Sequence, residues 1–196
     1  MTVIYYLSHP EVTIDPAVPV PDWALGRGAS EDRAVRVAAW LLACRRIVSS
    51  AERKAVETAE LIAEASAAEI TVRPAMHEND RSATGFLVPA EFEQVANAFF
   101  AQPADRCAAG RVPSTPRRGS RPSSRRCSRT TTGPCPFSSS AMAVGTLLYC
   151  RHAGLAIDRR HDQPEGGSVF ALDARSLAPL FTWRPMEEVE RVLGPC

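Results

Sequence analysis

Three clusters in this chain have residue types and spacings suited to chemistry on an anion. The first is Ile47-Val48-Ser49-Ser50-Ala51-Glu52-Arg53, where a β-branched pair runs into two serines and a helical pattern follows at once. Arg53 falls in the first turn of that helix and projects toward the carboxyl end of the preceding strand. Open α/β sheets hold their ligands at that edge, so a cation there implies an anionic substrate. The second is His9, within Ser8-His9-Pro10-Glu11, directly after the apolar run Val3-Ile4-Tyr5-Tyr6-Leu7. The third is His77-Glu78-Asn79-Asp80-Arg81, which gathers acid, base and cation in a short loop ahead of Gly85.

The surrounding pattern supplies elements to hold these clusters. Val3 to Leu7 reads as a buried strand. After Ser50, residues Ala55, Val56, Ala59, Ile62 and Ala63 recur at helical spacing and form an apolar stripe. Ser49 or Ser50 is the expected cap of that helix, with Glu52 in its first turn, where the dipole favours an acid. Upstream, a loop stiffened by Pro16, Pro19 and Pro21 cannot lie inside a helix. Trp23-Ala24-Leu25-Gly26 follows it, then a helix carrying Ala34, Val37, Ala38, Leu41 and Leu42.

Downstream, Glu69 to Arg73 suits an edge strand, and Pro89 opens an amphipathic helix whose core face is Phe92, Val95, Ala96 and Phe99. Val144 to Cys150 reads as another helix, capped by Gly154. Ser168 to Leu172 reads as a strand, and Trp183-Arg184-Pro185-Met186 as the start of a final helix. Strands alternating with helices predict an α/β class protein, a three-layer α/β/α sandwich.

A chain of 196 residues suits one domain, 1–196, with a core of ordinary size. The opening Met-Thr-Val-Ile-Tyr-Tyr-Leu is too short for a membrane span and lacks the basic start of a signal peptide. Six cysteines, Cys44, Cys107, Cys127, Cys135, Cys150 and Cys196, show no C-x-x-C pair, which argues against zinc. Their scatter fits reduced thiols in a cytoplasm. The formal net charge of +1 hides a segregation: residues 106–140 hold eight Arg and no acid, which leaves the remainder at −7.

A strand, Ser49-Ser50, Arg53, then Ala55-x-x-Thr58-Ala59-Glu60 resembles the second signature of the histidine phosphatase superfamily, the phosphoglycerate mutase-like proteins. In that family the first strand ends in Arg-His-Gly, whose His takes up the phosphoryl group. His9 matches that His, while Ser8 stands in place of the Arg and Pro10 in place of the Gly. The resemblance implies phosphomonoester hydrolysis through a phosphohistidine on His9, with Arg53 and Ser8 binding the phosphate and Glu78 giving a proton to the leaving alkoxide. Neutral imidazole is nucleophilic near pH 7, and cations must converge on the charge that builds on the phosphoryl oxygens. Arg81 is the candidate to supply the charge that Ser8 lacks. No metal or other cofactor is needed when side chains neutralise the phosphate. The implied partner is a small phosphorylated substrate or a phosphoprotein; oligomeric state is not legible.

The resemblance covers 1–105 and 143–196 and breaks between. Residues 107–141 carry Pro113, Pro116, Pro122, Pro134 and Pro136 among many Ser and Arg, with neither a helical nor a strand period. Such a segment buries too little surface to offset its ordering entropy, so it is expected to be irregular and to replace a helix and a core strand. Back-translated into GC-rich codons, Ser138-Ser139-Ser140-Ala141-Met142-Ala143 shifts, two bases on, to Val-Val-Gly-His-Gly, the strand and second His motif of the family. The hypothesis that would account for the break is a pair of compensating frameshifts, in the gene or its record. As written, the chain has no His there, so the expectation is an impaired phosphatase. The alternative is an inactive relative that binds phosphorylated ligands or a protein partner. Nucleic-acid binding through the Arg-rich arm is the weakest reading, because the arm lacks the interleaved aromatics of a single-strand binder. Arg151-His152-Ala153-Gly154 mimics Arg-His-Gly but sits at a helix end and is rejected as catalytic; His161 reads as a solvated loop residue.

Overall fold

The computed structural model describes residues 2–28, 39–76, 86–101, 136–139, 142–163 and 166–189. Six strands form one sheet: β1 Val3–Leu7, β2 Arg46–Ser49, β3 Glu69–Val72, β4 Pro136–Ser139, β5 Ser168–Asp173 and β6 Pro179–Pro185. Their order is β3-β2-β4-β1-β5-β6. The first four run parallel, β5 is antiparallel to β1, and β6 is antiparallel to β5. The helices are α1 Ala39–Leu42, α2 Arg53–Ser66, α3 Pro89–Ala101 and α4 Met142–Ala153.

Side-chain alternation along β1 and β5 builds two cores, one on each face of the sheet. Tyr5, Leu7, Val169 and Ala171 join Trp40 and Leu41 of α1 and Ala59 and Ile62 of α2 on one face. Tyr6, Phe170, Leu172 and Trp183 pack with Tyr149 of α4 on the other. The rings of this second core interlock, Tyr6 stacking on Phe170 at 5.0 Å and Phe170 meeting Trp183 edge-on at 4.7 Å. Helices therefore cover both faces, as the α/β/α sandwich requires.

Three details depart from the pattern reading. No strand is expected within 107–141, yet Pro136–Ser139 fills the central position, paired in parallel with both β1 and β2. A strand between two others is held by ladder hydrogen bonds on both sides, and that context outweighs poor side-chain propensity. Trp183 to Pro185 belongs to β6 rather than to a helix; only Met186–Glu188 turns, as a single 3-10 turn. Trp183 is drawn into the strand because its ring completes the second core. Finally, neither Ser49 nor Ser50 caps α2. Its N-cap is Glu52, without a side-chain capping bond, while Ser49 Oγ donates to the Ser50 carbonyl at 2.9 Å. The expected strand at Glu69, the helices at Pro89 and Val144, and the strand at Ser168 are all present. The part of the first helix before Ala39, and the segments 102–135 and 140–141, lie outside the described residues.

Candidate functional site

The chain moves outward from β1 to β2 and β3, returns to β4, and then passes to the opposite side of β1. Ligands of open α/β sheets gather where the order reverses, outside the carboxyl ends of the strands. Leu7 and Ser49 are both in register with Ser139. The ends of β1 and β2 thus emerge on one edge, two ladder spacings or about 10 Å apart. His9 and the start of α2 consequently face the same edge.

His9 is half-buried, and its Nδ1 lies 2.7 Å from the Pro10 carbonyl oxygen. A carbonyl only accepts, so in the neutral ring Nδ1 carries the proton and Nε2 carries the lone pair. The main chain is held from β5, Gly167 N donating to His9 O at 3.0 Å. Ser8 is fully buried, and its hydroxyl is engaged with that same strand. Ser8 Oγ donates to Ser168 O at 3.2 Å and accepts from Ser168 N at 3.1 Å. The serine in the expected Arg position therefore stitches β1 to β5.

Arg53 is turned along its own helix. Its side chain is 58% exposed, with Nε 2.7 Å from Glu57 Oε1. Glu57 Oε2 also accepts the Leu25 amide at 2.7 Å, tying the loop that follows His9 to α2. The cation on the buried stripe is Lys54, 2% exposed, with Nζ 3.8 Å from Oε1 of Glu52, itself 7% exposed. Ser50 Oγ donates to Glu52 Oε2 at 3.2 Å. The pattern reading missed Lys54, although its spacing marks it. Lys54, Thr58, Ile62 and Ser66 recur every four residues and are all buried, whereas Arg53 and Glu60 are exposed.

On the far side of β4, α4 begins at the same edge. Thr146 Oγ1 donates to Asp162 Oδ1 at 2.8 Å, and the Gln163 amide reaches the same oxygen at 2.9 Å. Burial pushes the Asp162 carboxyl up from its ordinary range against the pull of these bonds. Nearby, Arg159 bonds Glu93 and Asn97 of α3 at 2.8 Å each. That guanidinium holds the Glu93 carboxyl below its usual range. His152 lies ten residues along α4 from Met142, about 15 Å from the edge, and Gly154, at φ 67, ends the helix. His161, expected in a solvated loop, is half-buried in the turn Arg159–His161, 6.5 Å from the Tyr149 ring. Glu78 and Arg81, with His77 and Asp80, lie outside the described residues. Among the described residues no cluster of His, Cys, Asp or Glu could hold a metal ion. Among them, too, no helix is long and apolar enough to cross a membrane.

No protein-family model matches the chain, nor does any curated protein sequence. Solved structures do. Mycobacterial glucosyl-3-phosphoglycerate phosphatase superposes with a TM-score of 0.58 at 16% identity, over 93% of this chain and 96% of that one. YhfR of Bacillus stearothermophilus gives 0.61 at 18% identity, covering 91% and 94%. Phosphoserine phosphatase of Entamoeba histolytica, solved with 3-phosphoglyceric acid, gives 0.62 at 16% identity, covering 91% and 94%. At this level of identity the likeness is one of fold: the chain has the phosphoglycerate mutase-like α/β fold of these neighbours.

Proposed function

We propose that the chain is a phosphomonoester hydrolase in which Nε2 of His9 attacks the phosphoryl group and water later releases phosphate. One observation carries this reading: the Nδ1–H bond to Pro10 O fixes the tautomer with the Nε2 lone pair, on a loop facing the start of α2. Transfer to the imidazole splits one difficult displacement into two easier ones. Lys54, rather than the more exposed Arg53, is the cation we assign to the phosphate, since burial strengthens each charge interaction with the phosphoryl oxygens. Glu78 keeps its role as proton donor to the leaving group, and Arg81 that of a supplementary cation. Similar structures include enzymes named for glucosyl-3-phosphoglycerate and phosphoserine, which favours a small phosphorylated substrate. Cys44 and Cys150, both buried and neither in a disulfide, accord with a cytoplasmic setting.

A second reading is an impaired or inactive relative that binds phosphorylated ligands. It is favoured by Ser8 being turned into the sheet and by the lack of any His between His77 and His152. Loss of one such donor lowers a rate by about 10² to 10³. Hydrolysis of an aryl phosphate, with His9→Ala as control, separates the two. The hydrolase reading expects slow turnover that falls by about 10³ or more in the variant. Turnover unchanged in His9→Ala would refute it, and vanadate binding without turnover would favour the inactive relative.

A further inference from the structure

The pairing of β1 with β5 continues past Leu7. Ser8 N donates to Ser168 O at 2.9 Å and Gly167 N to His9 O at 3.0 Å, so Gly166-Gly167 lies against the residues that follow β1. Gly167 takes φ 77, a left-handed conformation that suits glycine. Gly166 has no positive φ and needs its missing side chain for another reason. A Cβ there would lie 3.2 Å from His9 O, 3.3 Å from the Pro10 carbonyl carbon and 3.4 Å from Glu11 N. All three are backbone atoms and can give little. His9 O is bonded from Gly167, Ser8 is stitched to Ser168, and the Pro10 ring fixes its own φ. The carbonyl of Pro10 is the group that meets His9 Nδ1 at 2.7 Å.

We infer that Gly166 is a positioning residue for the nucleophile: its bare Cα lets the turn into β5 close on the Pro10 peptide, whose carbonyl then accepts the His9 Nδ1 proton and leaves the lone pair on Nε2. The inference rests on the phosphatase reading above and adds to it a residue from the far end of the sequence. A side chain at 166 displaces the Pro10 peptide by a few tenths of an ångström or more, which lengthens and tilts the Nδ1 bond. As that bond weakens, the neutral imidazole places its proton on Nε2 more often. A ring in that form has no lone pair on the attacking nitrogen. Loss of packing alone would not move the proton between the two nitrogens.

The test is the graded pair Gly166→Ala and Gly166→Val in the full chain. Gly28→Ala, whose Cβ would meet nothing within 4 Å, is the control. Ring-nitrogen chemical shifts read the tautomer directly. The chain has four His, and the signals lost in His9→Ala identify the ring in question. Wild type should show a neutral His9 ring protonated on Nδ1, and the Nε2–H form should grow from Ala to Val. Turnover of an aryl phosphate should follow, kcat falling about threefold and then about tenfold while KM stays within about twofold. A His9 ring unchanged in folded Gly166→Val would overturn the role given to Gly166. Should the Val variant not fold, Gly166→Ala decides by the same ring signals. A tautomer that shifts along the series in a chain without turnover would instead support the positioning role and defeat the phosphatase reading.

Discussion

Two strand-to-helix junctions meet at the edge of this sheet, and they differ in one respect. β2 runs into α2 and β4 into α4, with Ser49 and Ser139 side by side in the ladder. The first junction carries a buried carboxylate and a buried ammonium within five residues of its strand. In the second, the described part of the helix brings a hydroxyl, Thr146, bonded to Asp162. Both strands are paired on each side in the ladder. The fold is thus specified by what the ladders and the cores require, and the chemistry by which charges ride on them, so one can be kept while the other is lost.

The comparison is broken most severely at Lys54. Lys54→Ala should lower kcat/KM for an aryl phosphate by about 10² to 10³. It should also reduce stability by about 3 to 5 kcal/mol in denaturant unfolding, because it breaks a buried ion pair. The two junctions could instead be made alike. Replacing the stretch that ends in Ser138-Ser139-Ser140-Ala141 by the alternative reading frame, which brings Val-Val-Gly-His-Gly, should raise turnover by about 10²; an unchanged rate would reject the frameshift account.

Packing offers a third probe. A Cβ on Gly145 would lie 2.6 Å from Tyr6 Cε1 and 2.7 Å from Trp183 Cζ2, so α4 approaches its face of the sheet more closely than an alanine would permit. Gly145→Val should lower stability by about 1 to 3 kcal/mol through overpacking, visible as a lower Tm.

A pH effect sharpens the picture further. Burial raises the Asp162 carboxyl above its unfolded value near 3.8. The folded chain therefore holds that proton over a window where the unfolded chain has lost it, and stability declines as pH rises from about 4 through that window. Asp162→Asn should flatten this part of the stability profile, measured by unfolding at each pH. Smallest of all is Arg53→Ala. Its exposed pair with Glu57 is worth about 0.3 to 0.5 kcal/mol, and turnover should stay within about twofold if Lys54 is the phosphate cation.

Much of this architecture was legible because it is written in period. Tyr5 and Leu7 against Tyr6, and the stripe through Ala55, Ala59 and Ile62, announce a sheet with helices on it. What misled was local chemistry that the three-dimensional setting overrode. Trp183-Arg184-Pro185 has no strong strand signature, yet the ring of Trp183 finds its place only beside Phe170. Ser138 and Ser139 read as linker and become a central strand because two neighbours supply their ladder bonds. Arg53 drew the phosphate role from its place in the first turn of α2 and from the signature that the stretch resembles; in the structure its side chain lies along the helix against Glu57. Lys54, one residue on, shares the buried face with Thr58 and Ile62, a placement that the four-residue spacing also shows.

The reciprocal bonds between Ser8 and Ser168 have a kinetic meaning as well. They fasten the backbone next to His9 to the antiparallel half of the sheet. Any ligand arriving beside His9 would meet a segment already ordered, so little ordering entropy should be lost on its arrival. The amide protons of Ser8 and Ser168 should accordingly be among the slowest to exchange with solvent, whether or not the crevice is occupied.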